Sequence, residues 1–399
     1  MGVVVPATQS GLAAGRGPES VVHELALDVR AMGVLDESYK LLSSGQIGVG
    51  LDVLMGGLSE LRSAADPEEW DSFCRSAVID HPLGSIIWQD PFTAHSFKKP
   101  RGYPGDAQLL DYIYGKSPVP QGTSLLGDAI FQYNLTRQAP RSVRARAQIL
   151  AGAIDETASQ FAAPRILSVA CGHLREAEQS KALQQGRIGQ FIALDQDPQS
   201  LAEVERAYGH LGVQTACQSV RSILTEKTSF ANIHLAYAAG LYDYLSDRAA
   251  ARLTQLLFDM LAPGGRLLVA NFAPCLADIG YIETYMAWRL LYREPEQMTA
   301  LGHDIASAKW QSHRLFWDEH ESIIFLEITK RSRISASISF GPGVKEAAVP
   351  GRKHMTIAPD AVSGPQRQRT RLAGSNGNGK AVGDNNGDGA AGRNGNPDK

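Results

Sequence analysis

The densest chemistry in this 399-residue chain lies in Arg165-Ile166-Leu167-Ser168-Val169-Ala170-Cys171-Gly172-His173-Leu174-Arg175-Glu176. A short apolar run stops at a small-residue turn, and a helix-forming segment follows. In an α/β protein such a junction aims backbone amides at a ligand from a helix N-terminus. A second run, Gln190-Phe191-Ile192-Ala193-Leu194-Asp195, ends in an acid at the distance expected for the next strand. Asp195 can accept two hydrogen bonds from the hydroxyls of an adenosine ribose. Its competing role is local, because Asp195-Gln196-Asp197-Pro198 also suits a helix cap.

Other residues invite a functional and a bland reading side by side. Cys171 is expected to be a small buried residue rather than a nucleophile. His173 could touch a ligand or cap the turn, and His320 falls in a turn with no chemistry expected of it. The segment Arg101–Asp106 holds two glycines bracketed by charges. With Tyr103, Asp106 and Tyr112 it is expected to form a lid over the ligand rather than a plain linker. Tyr281, Tyr285, Trp288, Arg289 and Tyr292 recur at helix-compatible spacing, either as core or as an acceptor-binding insertion. Among them Arg289 is the cation suited to orient a substrate carboxylate, with a salt bridge to Glu283 or Glu296 as the alternative.

The elements that must position these residues can be read outward from the turn. Strands are expected at Arg165–Val169, Phe191–Leu194, near Val213–Ala216, at Ile233–Tyr237 and at Arg266–Asn271, with Ala262-Pro263-Gly264-Gly265 a turn before the last. A helix is expected from Asp247 to Leu261. His313–Trp317 and Ser322–Ile328 read as a hairpin, hence an antiparallel pair on an otherwise parallel sheet. Upstream the pattern is helical, with Leu25, Val29, Met32 and Leu41 on one face. Asp66-Pro67-Glu68-Glu69 starts a helix whose face is Trp70, Phe73, Cys74 and Val78. Residues 131–160 read as one long helix with Arg141, Arg144 and Arg146 on its polar side.

Four regions follow: a disordered N-terminus over 1–20, a helical lid region over 21–140, a ligand-binding domain over 141–345 and a disordered basic tail over 346–399. Ile334–Phe340 alternates like an edge strand. From Arg331 onward eleven Lys/Arg face five Asp/Glu, which leaves the body of the chain acidic. An acidic body excludes general nucleic-acid binding, since phosphate neutralisation needs clustered cations. No apolar run is long enough for a membrane span, no signal peptide is apparent, and four scattered cysteines fit a reducing cytoplasm.

The order of these features resembles class I S-adenosylmethionine-dependent methyltransferases over about residues 145–330. The resemblance implies an α/β fold: a seven-stranded, doubly wound Rossmann-like sheet ending in an antiparallel hairpin, preceded here by helices. It implies S-adenosyl-L-methionine as cofactor, with Ala170, Cys171 and Gly172 in the glycine-rich loop and Asp195 on the ribose. Ser219 takes the place of the residue at the adenine, and Gly240 lies in the segment after strand four. The loop departs from the family's pattern. Ser168 stands where an acid is usual, and Ala170 and Leu174 each replace a glycine. Arg175 and Glu176 could compensate, Arg175 by pairing with the cofactor carboxylate.

A narrower resemblance rests on Lys99-Pro100-Arg101-Gly102-Tyr103-Pro104-Gly105-Asp106 and Leu110-Asp111-Tyr112-Ile113-Tyr114. These are similar to a bacterial subgroup associated with biosynthesis of 3-hydroxypalmitic acid methyl ester, a quorum-sensing signal. It implies methylation of the carboxyl of a hydroxylated fatty acid, a small acyl acceptor; from the residues themselves, Tyr103 and Arg289 are the side chains expected to position it. Oligomeric state is left open. The competing readings are a nicotinamide-dependent oxidoreductase, disfavoured by the missing G-x-G-x-x-G spacing, and a non-catalytic cofactor-binding scaffold.

Overall fold

The computed structural model describes residues 18–332 and 354–356. Among the described residues nine helices lead to the first strand: α1 (Pro18–Ser43), α2 (Ile47–Ala64), α3 (Pro67–Arg75), α4 (Ala77–Asp80), α5 (Leu83–Ile87), α6 (Pro91–Lys98), α7 (Ala107–Ile113), α8 (Leu125–Leu135) and α9 (Gln138–Gln160). Several begin on an acid or serine that satisfies otherwise orphaned amides. Asp66 accepts from the amides of Glu68 and Glu69 at 2.9 Å each. The Glu69 side chain returns to the Asp66 amide, completing a capping box in front of Pro67. Asp90 before Pro91 and Asp106 before Ala107 cap α6 and α7 in the same manner.

Three expectations for this region need correction. Val29 and Met32 are 72% and 41% exposed, whereas Ala31, Leu35 and Leu42 are the buried face of α1. Val78 is buried but lies on α4, beyond a break at Ser76. The helix expected over 131–160 is two helices, parted at Thr136 and Arg137; the Asp278 carboxylate accepts the Ala139 amide at the start of α9. Leu25, Ile334–Phe340 and the expected N-terminal disorder before Pro18 lie outside the residues whose side chains or backbone are described.

The sheet contains β1 (Arg165–Val169), β2 (Gln190–Asp195), β3 (Val213–Cys217), β4 (Ile233–Ala238), β5 (Leu261–Phe272), β6 (Trp310–Trp317), β7 (Ile323–Lys330) and β8 (His354–Thr356). Their order is β3-β2-β1-β4-β5-β7-β6-β8. The first five are parallel, and β7 runs antiparallel between β5 and β6. The doubly wound sheet with a terminal antiparallel hairpin is therefore present. The short β8, inside a stretch expected to be disordered, adds an eighth strand against β6. The segment expected as a turn, Ala262–Gly265, belongs to β5, where the pairing with β4 slips.

Side chains of successive strand residues point to opposite faces. Ile166, Phe191, Ala193, Leu235, Tyr237 and Leu268 join one core with α9 and the preceding helices. Leu167, Val169, Ile192, Leu194, Ala236 and Leu267 join the opposite core, against α10 (Asp247–Asp259). The N-terminal helices thus pack directly onto one sheet face. That stacking brings α7 and α9 over the carboxyl ends of β1 and β4.

Candidate cofactor and acceptor site

A cavity of about 450 Å³ opens at the carboxyl edge of β1, β2 and β4. Its floor is the turn after β1. Ala170, Gly172 and Leu174 all adopt left-handed backbone, with φ of 54°, 53° and 52°. Ala170 and Leu174 thus keep the conformation a glycine would adopt at little cost, and side chains there carry strain of about 1–2 kcal/mol each. The Cys171 amide donates to the carbonyl of Leu194 at 3.1 Å, which ties the turn to β2.

Asp195, at the end of β2, is 8% exposed. Its two carboxylate oxygens accept the amides of Gly172 and Asp197, both at 2.9 Å. The N-cap of the helix Pro198–Tyr208 is Asp197 rather than Asp195, and Asp195 lines the cavity with each oxygen held by a backbone amide. Ala170, Cys171, Gly172, Ser219 and Gly240 line the same space. Burial pushes the Cys171 thiol well above its ordinary range, which disfavours the thiolate that a nucleophile needs.

The roof comes from the helical region. Tyr103, Gly105, Ala107, Leu110 and Tyr114 line the cavity from the segment around α7, and Arg146 and Leu150 from α9. Gly105 has φ +70°, and a Cβ there would lie 2.2 Å from the Trp288 ring. Burial, with the charge of Asp195 behind it, pushes the Tyr103 phenol up to about 12. Arg101 fastens the roof by donating to Asp197 at 2.9 Å and Ser200 at 3.1 Å. Of the three residues expected in a lid, Tyr103 alone faces the cavity. Asp106 caps α7 and meets His95 at 2.9 Å. Tyr112 is buried edge-on against Phe131.

Two cations expected to receive carboxylates are engaged elsewhere. Arg175 lines the cavity, but its guanidinium meets Asp111 twice at 2.7 Å and Glu203 at 2.9 Å. Against the upward push of burial, the Arg175 and His173 hydrogen bonds hold Asp111 below the usual carboxylate range. Arg289 is absent from the cavity lining and pairs with Asp71 at 2.7 Å, not with Glu283 or Glu296. The reason is local. The helix α11 (Ile279–Thr284) stops early and Ala287 turns left-handed at φ 46°, so the aromatic spacing does not continue as one helix. Tyr281 and Tyr285 are core, while the Trp288 indole donates to the Tyr244 hydroxyl at 2.7 Å.

Residues with no earlier functional reading complete the walls: Tyr114, Arg146, Leu150, Tyr237, Gln218 and Tyr244. Arg146 was expected on a polar helix face, yet it is 5% exposed. Glu176 is 7% exposed and accepts the Tyr237 hydroxyl at 2.6 Å. Burial raises its carboxyl above the usual range, although Tyr237 and Arg146 pull the other way. Among the described residues no group of His, Cys, Asp and Glu is arranged to hold a metal. No helix among them is long and apolar enough to cross a membrane.

No family model and no curated protein matches the chain. Among solved structures, a possible exported protein from Bordetella parapertussis has TM-score 0.48 at 14% identity, covering 80% of this chain and 100% of its own. The N-methyltransferase NodS from Bradyrhizobium japonicum has TM-score 0.34 at 14% identity, covering 47% of this chain and 95% of its own. The magnesium protoporphyrin IX methyltransferase of Synechocystis, with bound S-adenosylhomocysteine, has TM-score 0.38 at 11% identity, with 56% and 92% covered.

Proposed function

We infer that the protein is an S-adenosyl-L-methionine-dependent methyltransferase of a small-molecule acceptor, and most specifically of the carboxyl of a 3-hydroxy fatty acid. The observation that carries the reading is Asp195, fixed by the loop amide of Gly172 and facing a cavity at the carboxyl edge of parallel strands. That is where an open α/β sheet binds an adenosine ribose. Ala170, Cys171 and Gly172 would lie along the cofactor, Ser219 near its adenine and Gly240 near its sulfonium. The sulfonium supplies an already activated methyl group.

What this chain then contributes is alignment and exclusion of water. Burial raises the phenols of Tyr103, Tyr237 and Tyr244, and the Cys171 thiol, away from neutrality, while two other bases of the lining are engaged, Glu176 by the Tyr237 hydroxyl and His173 by Asp111. An acceptor that arrives ionised suits such a site, and a carboxylate does so at neutral pH. A bound sulfonium would supply the methyl group to that carboxylate oxygen and leave as the thioether, so the protein would need to move no proton. Trp288 both touches Gly105 and lines an apolar recess of about 30 Å³ with Met55, Phe92, Val143, Met286 and Leu290, which an acyl tail would have to widen to enter. A methyl ester signal made in the cytoplasm is the corresponding physiological proposal.

The test is incubation of the full chain with methyl-labelled S-adenosylmethionine and cell lipid extract, with mass spectrometry of any labelled product. A labelled fatty acyl methyl ester is expected. Binding without transfer would favour the non-catalytic scaffold, and absence of binding would sink the reading.

A further inference from the structure

Arg146 is a cation without a carboxylate partner inside the cavity. It projects from α9, is 5% exposed, and forms no ion pair within 4.0 Å among the described residues. Its neighbours are the Tyr114 phenol, Glu176, Asp243 and Tyr244. Its Nη1 lies 3.5 Å from where a Cβ on Gly240 would stand, so the guanidinium borders the turn after β4. Buried charges are ordinarily paired. A guanidinium held open to a cavity is therefore suited to an anion that comes from outside.

Glu176 stands in the same cavity with the opposite charge. One of its oxygens accepts Tyr237, whose backbone is in register with Ser168 at the ends of β4 and β1. An acid from the turn after the loop thereby reaches the strand end where Ser168 itself supplies none. We propose that Arg146 and Glu176 together read the α-amino-acid end of the cofactor, Arg146 taking its carboxylate and Glu176 its ammonium. Two opposite charges buried in one cavity, not paired with each other, are complementary to a zwitterion. The assignment rests on the methyltransferase reading. It replaces Arg175 and the loop acid with residues from a helix and a turn.

Calorimetric titration of the full chain with S-adenosylhomocysteine and with 5′-methylthioadenosine, which lacks the amino-acid end, tests it. Arg146→Met is expected to weaken S-adenosylhomocysteine by about thirtyfold and leave methylthioadenosine within about threefold. Arg146→Lys should recover part of the loss, and Glu176→Gln should cost about tenfold on S-adenosylhomocysteine alone. The thermal midpoint of unliganded Arg146→Met should not fall, since an unpaired buried charge is removed. Equal loss of both ligands, or loss of neither, overturns the proposal. So does unchanged S-adenosylhomocysteine binding with a raised KM for the acceptor, which would give Arg146 to the acceptor's carboxylate. Wild-type protein that binds neither ligand sinks the methyltransferase reading itself, whereas wild-type binding with indifferent variants sinks this assignment alone.

Discussion

Asp195 is fixed before any ligand arrives, because each carboxylate oxygen already holds a backbone amide. Asp195→Ala should therefore weaken S-adenosylhomocysteine at least about tenfold, the loss of one or two charge-assisted hydrogen bonds of about 1.5–3 kcal/mol. Calorimetry showing unchanged affinity would remove it from the site. Asp195, Gly172, Ser219 and Gly240 were legible because strand-end and turn chemistry is local. The cations were not. Arg141, Arg144 and Arg146 look alike on a helix, and only packing shows that Arg146 is turned inward. Arg175 and Arg289 were assigned to ligands because their partners, Asp111 and Asp71, lie far away in sequence.

Among elements, the roof segment and the strand-end turns set the cavity's shape. Gly105→Ala would drive a Cβ into the Trp288 ring and strain a backbone at φ +70°. The expected result is a displaced roof, with S-adenosylhomocysteine affinity lowered about tenfold and stability by about 1–3 kcal/mol. Unaltered binding would show that the roof does not shape the site. At the turn after β4, Asp243 accepts the Phe272 amide at 2.8 Å and so braces the end of β5. Burial pushes its carboxyl from 3.8 up to about 6, although the Phe272 amide, Arg146 and Arg293 act against it. The folded state then holds the proton longer than the unfolded chain. Stability should fall as pH rises from about 4 to about 6, by about 3 kcal/mol if the shift is fully expressed. Asp243→Asn should gain on the wild type across that window in urea unfolding, and parallel curves would contradict this. The strands were readable from apolar runs and their turns. The break between α8 and α9 was not, because the Asp278 carboxylate that caps Ala139 comes from beyond β5.

At the scale of the molecule, the alternating order of elements sufficed to foresee the doubly wound sheet and its terminal hairpin. How the helical region docks was opaque, since it depends on contacts such as Arg62 and Trp70 with Glu283, more than two hundred residues apart. Docking sets one polypeptide arm, from Arg101 to Tyr114, along one wall of the cavity. A consequence is kinetic. On the proposed function, S-adenosylhomocysteine would have to pass this arm to leave, and the Arg101–Asp197 contact at 2.9 Å is the tie that would have to open. Arg101→Gln should shorten the residence of S-adenosylhomocysteine at least about tenfold in stopped-flow chase experiments while leaving association nearly unchanged. A residence time indifferent to that substitution would mean that ligands exchange by another door.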